Sequence, residues 1–371
     1  MNIQMLLLLA VMGITLLYGA GKRTAYHKKI CVGTVTTVLT LFSGLRTWWF
    51  GDLIKYYTLY LHCTGEGWKE YVFDDFSNIG IRLLFRGCGW LHISYDVCLF
   101  LIAAFVAITL GVLVFRYSSS PYWSYLMYIA MGFYIFTYSG LKQAVAMAFC
   151  CLAMCCIMDS RPGKFVLWVL IGALFHGPAL IFLAAYPFAH KKIDRLYFLF
   201  ILVCLGIVFL FRNQIVSFLS EMYYEDESTY EANKLIGGRF LMMVFILVVS
   251  LVLRPLRNSD TRYRYVFNVM VFAAMLQTFS VYDNNFTRLT DYYYQFVVLL
   301  IPLMLEPWEV QQEANPQLTV TRRIPPVQLY LIGVGITAFA IWFYSGQIGP
   351  GTICDSFKFC WEIDPYSLYG Y

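Results

Sequence analysis

Apolar runs that approach the roughly 20 residues needed to cross a bilayer as a helix recur along the whole chain, with short polar segments between them. Each such run predicts a membrane span. We therefore predict an all-α polytopic membrane protein, a single integral membrane domain over 1–371, with about ten transmembrane helices and one re-entrant helical hairpin. The predicted spans are 1–20, 30–44, 95–115, a segment ending near Tyr138, 141–158, 196–211, 240–253, 265–282, a segment ending near Glu306, and 327–345.

The apolar stretch 165–189 is interrupted at its centre by His176-Gly177-Pro178, and basic residues flank it on both sides. Each half has 11 residues, or about 16 Å of helix at 1.5 Å per residue, against a hydrocarbon core of about 30 Å. Because basic loops favour the cytoplasm, a single crossing would put one of the two flanks on the wrong side. A hairpin that enters and leaves from the cytoplasm, with His176 at its tip, satisfies both observations.

The hairpin sets the predicted orientation of the remaining spans. No basic segment precedes the first span, whereas Lys22 and Arg23 follow it; a cleaved signal peptide has the reverse arrangement, so the N-terminus is predicted to lie outside. Sixteen Lys and Arg residues then lie inside and ten outside, with Arg239 at the boundary. The external segments are predicted to be the loops 45–94 and 212–238 and the tail 346–371.

Composition agrees with this pattern, since 60% of the residues are hydrophobic, 13% are charged and the mean hydropathy is +0.64. Soluble domains carry about 25% charged residues, so that class is excluded. The net charge of +5 follows from the basic inner loops and gives no reason to expect a nucleic-acid partner. Most of the eleven cysteines lie inside apolar runs, where they act as small hydrophobes, and no pair has zinc-site spacing. The sequence leaves open whether the cysteines of the predicted external loops form Cys63–Cys88 or Cys354–Cys360 disulfides.

One group of polar residues collects at the predicted external boundary of the membrane although its members come from separate elements. An ionisable group at such a depth costs several kcal/mol unless it is paired or used. Taken singly, each has an ordinary explanation: Lys142 could extend to the interface, His176 could bond a neighbouring helix, and Asp52 could pair with Lys55 or Arg46. Their common position favours a shared anionic site. The group comprises Arg46, Asp52, Lys142, Gln143, His176, Asp283, Arg288 and Asp291.

The residue types in this group predict a division of roles. The cations and Gln143 would bind a diphosphate and its sugar, because Arg offers a forked donor and Lys a point charge. The candidate bases toward a sugar hydroxyl are Asp52, His176 and Asp291, with Asp283 behind them. Aromatic residues could stack on sugar rings or form an ordinary interfacial belt. These aromatic residues are Tyr292, Tyr293, Trp48 and Trp49, and the substrate-binding cations are Arg46, Lys142 and Arg288.

Four segments carry a family resemblance: Gly44-Leu45-Arg46 with Gly51-Asp52 and Tyr56-Tyr57, Ser139-Gly140-Leu141-Lys142-Gln143-Ala144, Leu174-Phe175-His176, and Arg288-Leu289 with Asp291-Tyr292-Tyr293. In these segments the chain resembles the EpsG family of membrane polysaccharide polymerases, a Wzy-like group. The likeness extends over about 41–305. Lys142 stands where that family usually has Arg, which keeps the charge but loses the fork.

The resemblance implies a bacterial glycosyltransferase of the cytoplasmic membrane, multi-pass, with its active site facing the exterior. It would polymerise undecaprenyl-diphosphate-linked repeat units into capsule, exopolysaccharide or O-antigen, without a metal or other cofactor. Its partners would be lipid-linked glycans, the lipid bilayer, and chain-length regulator and flippase proteins.

Three alternatives stay open. A flippase or transporter would be expected to show internal repeats and polar residues at mid-membrane, and neither is evident. An O-antigen-ligase-type enzyme is hardly separable by sequence. An acyl-transferring polysaccharide-modifying enzyme typically has an early intramembrane histidine, whereas the early histidine here, His27, lies in a basic loop.

Overall fold

The computed structural model describes residues 2–19, 24–48, 51–73, 78–223, 237–254, 260–282, 284–306 and 325–363. Within these residues the regular structure is helical, with one isolated antiparallel bridge between Arg46 and Phe359. The α-helices are α1 (Ile3–Gly19), α2 (Ala25–Gly44), α3 (Leu53–Thr64), α4 (Trp68–Phe73), α5 (Ile79–Trp90), α6 (Tyr95–Tyr117), α7 (Pro121–Ala130), α8 (Phe133–Phe136), α9 (Leu141–Met158), α10 (Pro162–Phe175), α11 (Ala185–Ala189), α12 (Arg195–Tyr223), α13 (Gly238–Leu253), α14 (Thr261–Gln277), α15 (Asn284–Tyr294), α16 (Val297–Met304) and α17 (Pro326–Gln347).

Four segments in the described part of the chain are long and apolar enough to cross a membrane as helices: Tyr95–Tyr117, Leu141–Met158, Thr261–Val281 and Val327–Gln347. Shorter apolar helices accompany them, among them α1, α10 and α13. The predicted class, an all-α membrane protein, is therefore confirmed. The number of about ten spans stays a prediction.

Two predicted spans are each divided into two helices. The span ending near Tyr138 breaks at Gly132, whose φ of 84° lies in the left-handed region that favours glycine. The Gln347 side chain fills the space where a Cβ of Gly132 would lie, and its Nε2 donates to the Ala130 carbonyl at 2.7 Å. The span ending near Glu306 is divided between α15 and α16 at Gln295 and Phe296.

The predicted external loop 45–94 contains three helices, α3 to α5. The expectation that Cys63 and Cys88 lie in loops is therefore wrong, because α3 and α5 carry them as buried residues. Cys354 and Cys360 follow α17 outside regular structure, and each of these four cysteines has a free thiol.

The helix break predicted inside 165–189 is present. Helix α10 ends at Phe175, His176 has extended backbone angles, and a 3₁₀ helix covers Gly177–Ala184 before α11. Proline has no N–H to donate and its ring clashes with the carbonyl one turn earlier, so Pro178 prevents α10 from continuing. The re-entrant course of this stretch stays a prediction.

The chain divides into two compact units, and the first comprises Met1–Leu180 with Pro325–Tyr371. Its centre is a bundle of α2, α6, α9 and α10, in which α2 is antiparallel to α6, α10 is antiparallel to α9, and α6 and α9 run in the same direction. Gly44 at the end of α2 packs against Phe100 near the start of α6, and Gly111 late in α6 packs against Thr36. Gly172 of α10 packs against Phe149 of α9. The end of α2, the start of α6, the start of α9 and the end of α10 therefore share one end of the bundle, which we call the Arg46 end.

At the opposite end of this bundle, Asp159 follows α9 and pairs with Arg116 at 2.9 Å. The Tyr117 hydroxyl also donates to Asp159, at 2.6 Å. Burial by itself would raise the pKa of Asp159, but these two partners hold it below its ordinary value. We call this the Asp159 end.

The second unit, Ile181–Ile324, is built around α14 and the fully buried helix α16. Asn268 of α14 donates through Nδ2 to three carbonyls at and just after the end of α11, those of Phe188, Ala189 and Lys191, at 3.2, 2.9 and 2.8 Å. The last carbonyls of a helix lack their usual partners within the helix, so a side-chain donor placed there stabilises the helix end. Asn268 therefore fixes α11 to the core of the unit.

Candidate functional site

Arg46 follows α2 and has only 3% of its surface exposed. Its guanidinium donates to the Ser43 carbonyl and, at 3.2 Å, to the Ser43 hydroxyl. It also donates to the carbonyls of Tyr138 and Thr137, both at 3.4 Å. The backbone on both sides of Arg46 bonds to the segment after α17. The Thr47 N–H donates to the Lys358 carbonyl, and the Leu45 carbonyl accepts from the Cys360 N–H, both at 2.9 Å. Arg46 therefore joins α2 to the segment that leads into α9.

The partners of this buried cation are neutral oxygens, and among the residues that the structure describes no carboxylate lies within ion-pair distance of it. Burying a charge without an opposite charge beside it costs free energy. Buried charges of this kind in membrane proteins are commonly found at functional positions. The adjoining cavity has a volume of about 10 Å³, close to the minimum for one water molecule. Arg46 is thus enclosed, and its predicted role in binding a diphosphate stays a prediction.

The start of α9 brings two more predicted residues to the Arg46 end. Lys142 is half-buried in the first turn of α9, and Gln143 beside it is buried, with its Nε2 3.9 Å from the sulfur of Met147. Gly51 has a φ of 55°, and a Cβ there would lie 3.6 Å from the Cβ of Ser139. The turn that carries Asp52 therefore packs against the residues leading into α9.

His176 reaches the same end from α10. The rings of Phe149 and Phe175 stack at 5.6 Å, and Gly172 lies against Ala146, one turn beyond Lys142. Since α9 and α10 are antiparallel, the residue after Phe175 lies level with the first turn of α9. His176 is half-buried there.

Asp52 is exposed, and its carboxylate pairs with Lys55 at 3.2 Å. The pair is the ordinary alternative considered for Asp52. Because the side chains are 53% and 83% exposed, the pair contributes little stability and leaves the carboxylate accessible. The structure thus collects five predicted residues at the Arg46 end: Arg46, Asp52, Lys142, Gln143 and His176.

In the second unit, Asp291 of α15 is 9% exposed and forms an ion pair with Arg239 of α13. The positive charges of Arg239 and Arg288 offset part of the cost of burying the Asp291 carboxylate. Arg288 is exposed and lies one turn earlier on α15. The guanidinium of Arg239 lies over the ring of Tyr294, 4.7 Å from its centre.

The aromatic candidates lie in the core rather than at a surface. Tyr292 and Tyr293 have no exposed area, and the Tyr293 hydroxyl donates to the Ile181 carbonyl. Trp48 is also fully buried and stacks on Tyr57 at 4.0 Å. None of these three rings is accessible to a sugar. Trp49 and Asp283 lie outside the described residues.

Arg239 is the site residue that sequence reasoning missed. It lies after a long acidic segment and at a predicted membrane boundary, where an arginine is commonly an interfacial anchor. The sequence did contain a signal for Arg239: in the count of inner and outer Lys and Arg residues, it is the one that could be assigned to neither side of the membrane. Only the fold shows that α13 sets it against Asp291.

Together these observations define an all-helical membrane protein with polar and cationic residues gathered at helix ends. A model of the EpsG family matches residues 29–308, which is most of the chain, so this protein belongs to the EpsG family. The resemblance seen in the sequence is confirmed. No individually curated protein and no solved structure matches the chain.

Proposed function

We propose that this protein is a Wzy-like polysaccharide polymerase that joins lipid-linked oligosaccharide repeat units on the external face of the bacterial cytoplasmic membrane. Membership of the EpsG family supports this class of activity. The donor would be a glycan chain on undecaprenyl diphosphate, and the acceptor a second lipid-linked repeat unit.

The observation that carries the proposal is the Arg46 end of the first unit. Two cations, an exposed carboxylate and a histidine at a helix break meet there from three separate segments of the chain. Arg46 has neutral oxygens around it, and its contacts fix the segment that leads to Lys142. A glycosyl transfer from a diphosphate needs both a cation for the leaving group and a base for the acceptor.

The reaction forms a glycosidic C–O bond and breaks the bond between the anomeric carbon and the diphosphate oxygen. Lys142 would neutralise the departing diphosphate. Asp52 or His176 would take the proton of the attacking hydroxyl. The Asp52 carboxylate is accessible and the His176 imidazole can accept a proton, so single substitutions of the two residues separate them.

The distribution of charge supports an external position for the Arg46 end. The Asp159 end carries the basic residues that adjoin α2, α6 and α10, namely Lys28, Lys29, Arg116, Arg161 and Lys164. Basic residues favour the cytoplasmic side. The partners would be undecaprenyl-diphosphate-linked glycans, the lipid bilayer, and chain-length regulator and flippase proteins.

The test is a complementation assay in which single variants replace the native gene and surface glycan is separated by gel. Lys142→Ala and His176→Ala should reduce long chains and leave single-repeat material. Lys69→Ala, at an exposed position of α4 in the predicted external segment, is the control and should retain long chains. All variants are compared at equal membrane abundance.

Each outcome separates the classes considered. Loss of all external lipid-linked sugar in the variants would favour a flippase instead. Normal long chains in both the Lys142 and the His176 variants would refute the proposed site. Turnover that is lost in Asp52→Asn but kept in His176→Ala would identify Asp52 as the base, and the reverse result would identify His176.

A further inference from the structure

Two contacts hold the Arg239 side chain in a defined orientation. This residue is the second of α13, and its side chain is 25% exposed. Its Nη2 contacts Oδ1 of Asp291, and its guanidinium lies over the ring of Tyr294. One contact sets the direction of the guanidinium and the other sets its plane. Arg239 is therefore held in one orientation while part of it remains at the surface.

The donors of Arg239 are only partly used. A guanidinium has five N–H groups in a planar fork. Asp291 takes a donor on one nitrogen, and in the part of the chain that the structure describes no second acceptor contacts Arg239. The edge of the fork that faces away from Asp291 can therefore receive a ligand.

The net charge of the cluster matches an anion. Arg239 and Arg288 supply two positive charges and Asp291 one negative charge. Arg288 is exposed and acts electrostatically on Asp291 from one turn away. A carboxylate that orients an arginine leaves its remaining donors arranged for a phosphate, which arginine binds through two parallel bonds.

We propose that the second unit binds a lipid-linked diphosphate through Arg239 and Arg288, and that Asp291 is the residue that positions Arg239 rather than the general base. This inference rests on the proposed polymerase function and adds to it the residue that recognises the phosphate. Asp291 is buried beneath its arginine, so it presents less free lone-pair surface to a sugar hydroxyl than the exposed Asp52 does.

The test measures binding of farnesyl diphosphate to the purified full-length protein in lipid nanodiscs, with farnesyl monophosphate as the comparison ligand. Arg239→Gln should weaken diphosphate binding about tenfold or more, the effect of losing charged hydrogen bonds. Arg239→Lys should recover little, because an ammonium lacks the fork. Asp291→Asn should weaken binding less than Arg239→Gln, since an amide oxygen can still accept from the guanidinium.

The Arg116–Asp159 pair provides matched controls, because it is also an interhelical Arg–Asp pair with a neighbouring tyrosine ring. Arg116→Gln and Asp159→Asn should leave diphosphate binding unchanged. Size-exclusion profiles and thermal unfolding of all variants show whether a loss of binding reflects a loss of folding.

Three results would overturn the inference, and they differ in scope. Wild-type-like binding by Arg239→Gln would refute the role of Arg239 and leave the polymerase proposal intact. Unchanged binding with abolished turnover in Asp291→Asn would identify Asp291 as the base instead of a positioning residue. Failure of the wild-type protein to bind farnesyl diphosphate more tightly than the monophosphate would refute diphosphate recognition and the polymerase proposal with it.

Discussion

Arg46 gives the sharpest test of how the first unit is held together. Its guanidinium donates to four oxygens, the closest being the Ser43 carbonyl, and the other three lie at 3.2, 3.4 and 3.4 Å. A hydrogen bond from a charged donor contributes about 1.5–3 kcal/mol net, and long bonds contribute less. Counting the closest contact at about 2 kcal/mol and the others at about 0.5 kcal/mol each, Arg46→Ala should lower the free energy of unfolding by about 3–4 kcal/mol.

Two further substitutions separate the geometry of Arg46 from its charge. A lysine retains the charge, but a single ammonium cannot contact the carbonyls of Ser43 and Tyr138 together as the fork does, so Arg46→Lys should still lose about 2 kcal/mol. Arg46→Met keeps much of the length and removes the cost of burying a charge. It should therefore be less destabilising than Arg46→Ala.

The assay is denaturant unfolding of the purified protein in detergent micelles, followed by tryptophan fluorescence. Lys55→Ala removes an exposed cation from the same end and should change the free energy of unfolding by less than about 0.5 kcal/mol. An Arg46→Ala variant within about 1 kcal/mol of the wild type would show that these contacts do not hold α2 to the segment before α9. Full recovery of stability by Arg46→Lys would show that charge, and not the fork, is what matters.

Two other predictions concern stability and use the same unfolding assay. Arg116 and Tyr117 hold the pKa of Asp159 below its ordinary value. The ionised Asp159 and its two partners therefore stabilise the fold above about pH 4, and this contribution is lost as pH falls further. Asp159→Asn should cost about 1 kcal/mol at pH 7 and converge with the wild type in acid; an equal difference at pH 7 and pH 3 would contradict this. Asn268→Ala removes the donor for three carbonyls and should cost about 2–3 kcal/mol, and Asn268→Asp should cost more because a carboxylate repels them. Stability of Asn268→Asp equal to that of the wild type would show that these bonds are not formed.

Sequence reasoning located the family segments because they combine charge with an apolar setting. A lysine and a glutamine at the head of an apolar helix, and a histidine where the next one breaks, are visible without coordinates. The break itself follows from Pro178, whose backbone chemistry acts locally. Features that depend only on neighbouring residues, such as this break, can be predicted from the sequence.

Whether these residues are exposed or buried could not be predicted from local sequence. Tyr292 was expected to stack on a sugar or to lie in an interfacial belt, and it is buried, as is Arg46. The reason is that burial depends on neighbours far away in the chain: Arg46 is covered by the segment before α9 and by residues after α17. A hydropathy pattern indicates how deep in the membrane a helical residue lies, but it does not show which other segments of the chain cover that residue.

By itself, the sequence determined that this is a helical membrane protein of the EpsG family, because long apolar runs and a few charged motifs are properties of short segments. The tertiary structure alone decided that Arg239 is the partner of Asp291 and that Arg46 has neutral oxygens around it. Such pairings join residues 52 or 92 positions apart. They arise only when packing brings separate helices together, so no pattern within one segment contains them.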